Sequence, residues 1–487
     1  MLSIPQEVQA TIRKLQERGF EAYLVGGCVR DILLGRTPKD WDITTNAPPE
    51  EIQQTFEKTF YENSYGTVGI VSEEATDESL KVIEVTPYRI ESAYSDKRHP
   101  DEVTFTTNLL DDLQRRDFTI NAIAYDPTKN QIVDPHNGQK DIENRVIKAV
   151  GNPLKRFDED ALRMMRAIRL STELNFRIDD DSRETIKQCA HTITSIASER
   201  IRDEITRILL SPGPRSGIEL LQQLGLLEYI LPEITEGIGV EQNQAHSYGV
   251  FEHLLRTLQA AADKGFSLEV RLAALFHDVA KPHTKAFDNK KKDWSFHGHE
   301  VVGAKLTKKR LSELRFSNTI IEKVVKLVRW HMFFSDTEQI TLSAVRRLIR
   351  NVGIENVQDL MNIRVCDRIG TGRPKEKPYR FRKYQAMIEE VLRDPISVGM
   401  LAIDGKKIME VTRETPGPRV GWILHALLEE VLEDPTLNTP QYLEKRALEL
   451  SEIDNTKLKS LGDTGKQKKE EEEEREVKEI REKHWVE

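Results

Sequence analysis

The first part of the chain combines short apolar runs with helical patterns, which is typical of a mixed α and β unit. Apolar or alternating runs over 22–25, 66–71 and 81–88 predict strands, and the apolar positions within 5–19 recur at helical spacing. Beyond about residue 150 the patterns are helical. We therefore predict an α+β chain with a small mixed-sheet head, followed by an extended all-helical region.

A glycine pair joins the first predicted strand to a short helix. Gly26 and Gly27 follow the strand over 22–25, and residues 29–34 have a helical pattern. Because glycine has no side chain, the backbone here can approach a ligand closely. The turn therefore predicts a cradle for phosphate, although a glycine pair on its own is usually only a turn.

Two acids follow on the next predicted strand. Side chains alternate between the faces of a strand, so Asp40 and Asp42 are expected to point the same way, roughly 7 Å apart along the backbone. Convergent carboxylates bind Mg²⁺, which prefers oxygen ligands and bridges to substrate phosphates. Such sites align an in-line nucleotidyl displacement. The pair predicts nucleotidyl transfer, whereas an isolated Asp-x-Asp is usually a solvated edge.

Composition excludes several classes of protein. No run approaches the roughly 20 apolar residues that cross a bilayer, and the first residues lack a signal pattern, so we predict a cytoplasmic protein without a membrane partner. Three widely spaced cysteines suggest neither a disulfide framework nor a thiolate zinc site. A net charge of −9 argues against a uniformly basic nucleic-acid binder, but a local basic patch suffices for RNA. Oligomeric state is not indicated.

The glycine and aspartate motifs together resemble a known family. The string GGCVRDILLG over 26–35, followed by DWDI over 40–43, resembles the signature of class II tRNA nucleotidyltransferases and bacterial poly(A) polymerases. Members of this family extend RNA 3′ ends without a nucleic-acid template. The resemblance implies addition of CCA to the tRNA 3′ end from CTP and ATP, with Mg²⁺ held by Asp40 and Asp42. The implied nucleotide-binding residues are Gly26, Gly27, Arg30, Arg115, Arg116, Asp117, Glu159, Asp160, Arg163, Arg166 and Arg169.

Three further parts of the head take their roles from this resemblance. Glu84 lies in the strand that supplies the family's third catalytic carboxylate, although an exposed acid on an edge strand would have the same pattern. Arg115-Arg116-Asp117 matches the element that recognises the ribose, with Asp117 accepting from hydroxyl groups and Arg116 contacting phosphate. The polar loop over 89–105 corresponds to the loop that permits the addition of A.

The stretch 156–169 is predicted to form one helix, with acids at its start and arginines along its body. Asp160 and Arg163 would then share a face. A carboxylate beside a guanidinium matches the amine and ring nitrogen of C and A and opposes U and G, at about 1–3 kcal/mol for each buried unpaired group. By resemblance this pair selects the base and the following arginines contact the triphosphate, while an ordinary salt bridge is the alternative. The helical pattern over 198–204 predicts a second helix that packs beneath this site.

A second group of chemistry-bearing residues begins near residue 240. His277 and Asp278 fall inside an apolar helix, where unpartnered polar groups would be costly, so a metal or a hydrogen-bond network is expected. The pattern resembles the HD phosphohydrolase superfamily and implies a divalent metal such as Mn, Fe, Ni or Zn. His299 and His331 would add a second metal or contact phosphate, whereas a decayed HD fold would serve as an RNA-binding arm. The implied metal ligands are His253, His277, Asp278 and Asp367.

These patterns divide the chain into regions and leave alternatives for its function. An A-adding enzyme or a poly(A) polymerase is the alternative within the family, and an HD phosphohydrolase with a noncatalytic RNA-binding head is the alternative of another class. The residues from 455 onward are dense in Lys and Glu, lack an apolar stripe and predict a solvated helix or disorder. The predicted regions are a nucleotidyltransferase head at 1–150, a helical neck at 151–235, an HD domain at 236–370, a helical tRNA-binding tail at 371–455 and a charged extension at 456–487.

Overall fold

The computed structural model describes residues 3–61, 66–91, 103–244, 246–332, 340–372, 376–392 and 395–463. Two compact units divide the chain, the first spanning Met1–Ile230 and the second Leu231–Glu487. Among the described helices, none combines the length and apolar character needed to cross a bilayer.

A seven-stranded mixed sheet forms the centre of the first unit. Its order is β3-β4-β5-β2-β1-β8-β9, in which β2 and β5 run parallel and the other neighbours run antiparallel. The strands of this unit are β1 Ala22–Val25, β2 Trp41–Thr45, β3 Thr59–Tyr61, β4 Val68–Val71, β5 Val82–Pro87, β6 Arg89–Glu91, β7 Val103–Phe105, β8 Ala124–Asp126, β9 Gln131–Val133, β10 Val146–Ile147 and β11 Arg177–Ile178.

The parallel pairing of β2 with β5 sets the position of the predicted carboxylates. In this register Asp42 lies opposite Glu84, and the apolar residues Ile43 and Val85 pair next to them in the core. Side chains directly opposite each other on neighbouring strands lie on the same face of a sheet. The sheet therefore brings together two acids that are far apart in the sequence.

The two ends of the stretch 89–105, which was predicted to be a loop, form β-strands. Residues Arg89–Glu91 pair antiparallel with Val103–Phe105, in a separate two-stranded ladder. Ile90, Val103 and Phe105 are the branched and aromatic types that favour strands. Residues 92–102 lie outside the described part of the chain.

Helices cover the sheet and continue beyond it. In α1 the predicted apolar positions Val8, Ile12 and Leu15 are buried, as the helical spacing requires. The helices of this unit are α1 Gln6–Glu17, α2 Gly27–Leu33, α3 Pro49–Thr55, α4 Leu109–Gln114, α5 Gly138–Glu143, α6 Pro153–Glu159, α7 Leu162–Leu174, α8 Asp180–Cys189, α9 Ser198–Leu210, α10 Pro214–Gln223 and α11 Leu227–Ile230.

The prediction of one continuous helix over 156–169 is wrong. Helix α6 ends at Glu159, Asp160 adopts an extended backbone with φ −144° and ψ 105°, and α7 begins at Leu162. The Asp160 carboxylate accepts a hydrogen bond from the Leu162 backbone N–H at 3.0 Å. Aspartate favours helix starts because its side chain bonds such backbone donors, so it interrupts the helix here. Asp160 therefore occupies a corner between two helices.

Within its described residues, the second unit contains helices and one β-hairpin, which agrees with the predicted α+β class. The hairpin consists of β12 Ala286–Asp288 and β13 Asp293–Ser295, and no pattern in the sequence predicts it. The helices of this unit are α12 Pro232–Thr235, α13 Val250–Asp263, α14 Leu268–Phe276, α15 Lys281–Thr284, α16 His299–Glu313, α17 Asn318–Trp330, α18 Leu342–Val352, α19 Ile354–Gly370, α20 Tyr379–Val391, α21 Gly405–Thr412, α22 Pro418–Glu433, α23 Pro440–Ser451 and α24 Asn455–Asp463.

A glycine at the end of α19 allows that helix to approach α13 closely. A Cβ atom at Gly370 would lie 2.1 Å from Thr257 Oγ1 and 3.0 Å from the His253 carbonyl oxygen. The first distance lies far inside van der Waals contact, so a larger residue at position 370 would force the Thr257 side chain or the two helices to move. The packing places His253 of α13 beside Asp367 of α19.

The prediction that nothing packs beyond residue 455 is wrong for the first nine of these residues, which form α24. Leu458 is fully buried, and α24 packs against α22. Leu458 and Leu461 are three residues apart, which places two apolar side chains on one face of a helix rich in polar residues. Residues 464–487 of the predicted charged extension lie outside the described residues.

Candidate nucleotide and metal sites

The three predicted carboxylates meet in one cavity of the first unit. This cavity has a volume of about 910 Å³, and Asp40, Asp42 and Glu84 all line it. Asp40 lies in a bend directly before β2, while Asp42 lies within that strand. Oxygen ligands of this kind are what Mg²⁺ prefers, so the residues present fit the predicted ion.

The glycine turn lies directly against this cluster. Gly26 has a φ of +84°, and a Cβ atom there would lie 3.4 Å from Asp42 Oδ2 and 3.2 Å from Arg116 Nη1. A larger residue would be strained at this φ, and its Cβ atom would crowd Arg116 and touch Asp42. The glycine turn therefore brings the backbone next to Asp42 and Arg116.

Arg30 is held in place by two neighbours. Its Nη1 donates to Asn121 Oδ1 at 2.8 Å, and its Nη2 contacts Asp31 Oδ1 at 2.8 Å. Arg30, Asn121 and Gly27 line the same cavity as the acids. A fixed guanidinium there is suited to phosphate binding.

A fully buried acid that the sequence analysis did not single out organises the Arg-Arg pair. Asp112 contacts Arg115 Nη2 through Oδ1 at 2.7 Å and Arg116 Nη2 through Oδ2 at 3.1 Å. Thr44 Oγ1 of β2 also donates to Oδ2 at 3.2 Å. The signal was present in the spacing, because an acid three and four residues before two arginines can pair with both on a helical turn.

This arrangement sets the charge state of Asp112. Burial on its own raises the pKa of the carboxyl group, but Arg115 and Arg116 outweigh burial and lower the pKa below its ordinary value. A carboxyl group whose pKa is lowered in the folded state stabilises the fold at pH values above its unfolded-state pKa, which is about 4 for aspartate. That stability is lost as the pH falls through the folded-state value.

We expect Asp112→Asn to lower the free energy of unfolding by about 3 kcal/mol at pH 7, because two guanidinium groups lose their buried partner. Urea unfolding between pH 2 and pH 8 measures this, and the difference from the natural chain should stay constant down to about pH 4 and shrink below it. Glu143→Gln, at an exposed position of the same unit, is the matched control. A cost below about 0.5 kcal/mol at pH 7 would contradict the assigned role.

Asp117, predicted to accept from ribose hydroxyls, forms an ion pair with Arg166. Arg166 Nη2 and Nε lie 2.6 and 2.8 Å from Asp117 Oδ2, and Asn121 Nδ2 donates to Oδ1 at 3.1 Å. Burial raises the pKa of Asp117, but Arg166 outweighs it and holds the pKa well below its usual range. The same pair raises the pKa of Arg166. Arg166 and Arg169 both line the cavity of the acids, while Arg169 Nε lies 3.3 Å from Glu204 Oε2.

Asp160 and Arg163 do not share the face of one regular helix as predicted, because Asp160 lies outside α7. Arg163 Nη1 donates to Glu159 Oε2 at 2.7 Å, and Asp160 accepts from Arg200 at 2.8 and 3.3 Å. The break at Asp160 explains the difference, because the two residues no longer share a regular helix. Helix α9, predicted to lie beneath this site, supports it through Arg200.

The second unit brings the four predicted HD ligands together. His253 Nε2 lies 3.0 Å from His277 Nε2 and 3.1 Å from Asp278 Oδ2. Asp367 Oδ1 lies 3.4 and 3.8 Å from the same two histidine nitrogens. All four side chains are buried. Two imidazoles and two carboxylates that converge on one point form a donor set for a divalent transition metal.

The other carboxylate oxygen of Asp278 belongs to a second donor set. Asp278 Oδ1 lies 3.1 Å from His299 Nε2 and 3.5 Å from His331 Nε2, and these two nitrogens are 3.3 Å apart. His299 and His331 are also buried. Asp278 therefore bridges two groups of potential metal ligands.

The histidine tautomers fit metal binding. In His277, His299 and His331, Nδ1 lies 2.9, 2.6 and 2.7 Å from the backbone carbonyl three residues earlier. A hydrogen bond from Nδ1 to a carbonyl leaves the lone pair on Nε2, which is the arrangement typical of metal-bound histidines. These residues therefore fit the divalent ions that the sequence predicts.

Comparison with family models matches three consecutive parts of the chain. Residues 22–148 match the poly(A) polymerase head domain, and residues 175–238 match a probable RNA and SrmB-binding site of polymerase A. Residues 250–369 match the HD domain. The matched models are those of a nucleotidyltransferase of the poly(A) polymerase class, followed by an HD domain.

Full-length relatives narrow the class to one family. The CCA-adding enzyme of Lactobacillus helveticus is 31% identical over 442 residues, covering 89% of this chain and 94% of the relative. The A-adding tRNA nucleotidyltransferase of Deinococcus radiodurans is 34% identical over 421 residues, covering 84% and 91%. The crystal structure of the Bacillus stearothermophilus CCA-adding enzyme in complex with CTP is 29% identical, with a TM-score of 0.67 and coverage of 91% and 96%. This chain belongs to the tRNA nucleotidyltransferase family that contains the CCA-adding enzymes.

Proposed function

We propose that this chain adds C and A to the 3′ end of tRNA, using CTP and ATP, to complete the CCA sequence. The observation that carries the proposal is the meeting of Asp40, Asp42 and Glu84 in one cavity, beside the close backbone turn at Gly26. The CTP complex of the Bacillus relative supports the choice of nucleotide. The proposal includes a cytoplasmic location and region boundaries near residues 150, 235, 370 and 455, as the sequence predicts.

The residues of the cavity divide the chemistry between them. Asp40 and Asp42 would hold Mg²⁺, with Glu84 as the third carboxylate, and the bound ion would neutralise charge on the triphosphate. Arg30, Arg116 and Arg166 supply positive charge to the phosphates. The tRNA 3′ oxygen loses its proton and bonds to the α-phosphorus, while the bond to the β-phosphate oxygen breaks and pyrophosphate leaves.

The choice of base would come from the corner between α6 and α7. Asp160 offers an acceptor and Arg163 offers a donor, which match the amine and ring nitrogen of C and A. Arg200 and Glu159 hold these two groups in fixed orientations. A base with the reverse order of donor and acceptor would leave buried groups unpaired.

Product length on defined tRNA tests the proposal. With tRNA that lacks its CCA end, we expect two added nucleotides from CTP alone, none from ATP alone and three from both. An A-adding enzyme would act only on tRNA that already ends in CC, and a poly(A) polymerase would make a long tail from ATP. Either outcome would overturn the proposal in favour of the corresponding alternative activity.

We expect Arg200→Ala to lower kcat/KM for CTP about tenfold and to raise incorporation of UTP, because the Asp160 carboxylate loses its orienting partner. Primer extension with each nucleotide separately measures both effects. Arg202→Ala removes the same charge from the same helix and is the matched control. An unchanged ratio of CTP to UTP use would show that Arg200 does not position Asp160.

A second activity is favoured by the two donor sets that share Asp278. We propose that the HD domain binds Mn, Ni, Fe or Zn and hydrolyses phosphate esters at RNA 3′ ends. The buried position of the ligands and the orientation of His277, His299 and His331 support this proposal. Hydrolysis of p-nitrophenyl phosphate by the full chain, with each metal supplied in turn, tests it. Absence of hydrolysis with every metal would leave the domain as an RNA-binding arm.

A further inference from the structure

The β12–β13 hairpin forms one wall of the cavity that opens onto the HD donor sets. This cavity has a volume of about 310 Å³, and Asp278, His299 and Asp367 are among the residues that line it. Lys291 and Trp294 of the hairpin also line it. The hairpin is therefore positioned to contact whatever ligand reaches the metal ligands.

The hairpin carries two aromatic side chains that lead out of this cavity. Phe287 and Trp294 are directly opposite each other in the ladder, which places them on the same face. Their ring centroids are 5.3 Å apart in an edge-to-face arrangement. Trp294 is half-buried at the cavity wall, whereas the Phe287 residue is 51% exposed. An aromatic strip thus runs from the cavity toward solvent.

Positive charge accompanies the aromatic strip. The tip of the hairpin contains three consecutive exposed lysines, Lys290, Lys291 and Lys292. Lys285 Nζ lies 4.2 Å from the centroid of the Trp294 ring. Lys290 and Lys292 do not line the cavity, so a ligand that ends inside the cavity would not reach them. These two lysines would contact a ligand that extends beyond the cavity.

The size of the cavity and the chemistry of the hairpin together define such a ligand. A volume of 310 Å³ is at the low end of the ~300–1,000 Å³ typical of small-ligand pockets, so it suits one terminal unit of a longer chain. Aromatic faces beside lysines are the combination that binds single-stranded nucleic acid, through base stacking and phosphate contacts. Because one relative of this chain is an A-adding tRNA nucleotidyltransferase, RNA is the nucleic acid that fits.

We propose that the β12–β13 hairpin binds the single-stranded 3′ end of an RNA, with its terminal phosphate directed to the Asp278 cluster. The preceding nucleotides lie along Phe287 and the tip lysines. This inference rests on the proposed HD phosphohydrolase activity. In that reaction a water oxygen bonds to phosphorus, the bond from phosphorus to the 3′ oxygen breaks, the 3′ oxygen takes a proton, and inorganic phosphate leaves.

The test compares an RNA substrate with a small one in the full chain. One variant combines Lys290→Ala with Lys292→Ala, and a second is Phe287→Ala. We measure kcat/KM for a ten-nucleotide single-stranded RNA with a 3′ phosphate and for p-nitrophenyl phosphate. The ratio of kcat/KM for the RNA to kcat/KM for p-nitrophenyl phosphate should fall about tenfold in each variant, because KM for the RNA rises. The combination of Lys308→Ala with Lys309→Ala removes two exposed charges from α16 and is the matched control.

Each outcome decides the inference separately from the proposed activity. An unchanged ratio in both hairpin variants, or equally efficient hydrolysis of a free 3′-nucleotide and the RNA, would overturn the hairpin role while leaving a phosphohydrolase. If the natural chain hydrolyses neither substrate, the proposed HD activity fails. Binding of the fluorescently labelled RNA then decides the hairpin role. Binding by the lysine variant that is about tenfold weaker than binding by the control would support the role. Equal binding would overturn it.

Discussion

Asp42→Ala is expected to lower nucleotide addition to tRNA at least about a thousandfold while the chain stays folded. Asp42 lies opposite Glu84 in the β2–β5 pair and lines the same cavity as Asp40. A metal ion at such a site stabilises transition-state charge by several kcal/mol, and each 1.36 kcal/mol corresponds to about a tenfold change in rate. Loss of one of its ligands therefore removes most of the catalysis.

The assay for Asp42→Ala is single-turnover extension of radiolabelled tRNA with CTP and ATP. Thermal unfolding checks that the variant is folded, and Glu74→Ala, at an exposed position of the same unit, is the matched control. Hydrolysis of p-nitrophenyl phosphate should persist, because the HD ligands belong to the other unit. A folded Asp42→Ala chain that extends tRNA within about tenfold of the natural rate would contradict the assignment of this cavity.

The second large effect is expected for Asp278→Ala, which should reduce hydrolysis of phosphate esters at least about a hundredfold and remove bound metal. The reason is geometric, since Asp278 Oδ2 faces His253 and His277 while Oδ1 faces His299. Extension of tRNA should continue. By contrast, His299→Ala removes a ligand from one donor set only, so the number of bound metal ions should fall by one.

Metal content by mass spectrometry and phosphatase rate on the same samples measure these two variants. Asp263→Ala, an exposed acid on the helix that carries His253, is the matched control. If a folded Asp278→Ala chain kept its metal and its phosphatase activity, the assignment of Asp278 as a ligand shared by both donor sets would be wrong. Loss of tRNA extension together with hydrolysis in this variant would show that the two activities do not reside in separate sites.

The parts of the nucleotide site that sequence could predict are those encoded in contiguous residues. Gly26 and Asp42 belong to short motifs, in which a glycine turn sets the path of the backbone and strand alternation sets the face to which Asp42 points. The pairing of Asp42 with Glu84 depends on the register between two strands that are distant in sequence. Without the family resemblance, that register could not have been inferred from the pattern alone.

The corner between α6 and α7 shows the opposite case. The pattern over 156–169 predicts one helix. In the structure α6 ends at Glu159, because Asp160 bonds the backbone N–H of Leu162 at the start of α7. The resulting ion pair with Arg200 joins residues 40 positions apart. Periodicity predicts faces of regular helices and does not predict which partner a side chain finds across such a break.

Interactions between distant helices also escaped the sequence analysis in the second unit. The sequence predicts that His299 and His331 add a second metal or contact phosphate, but it does not predict that Asp278 uses both of its oxygens, with His299 at the start of α16 and His331 directly after α17. The close approach at Gly370 that brings α19 to α13 likewise depends on packing, not on any local pattern. The residue types were visible in the sequence, but their grouping was a property of the fold.

We propose that protein side chains, with no nucleic-acid template, direct the addition of C, C and A at the cavity lined by Asp40 and Asp42. To test this, tRNA lacking its CCA end is supplied with all four nucleoside triphosphates at equal concentration, and the product 3′ ends are sequenced. We expect CCA as the dominant product, with addition ending there. Products that carry U or G, a single A, or a long run of A would contradict it.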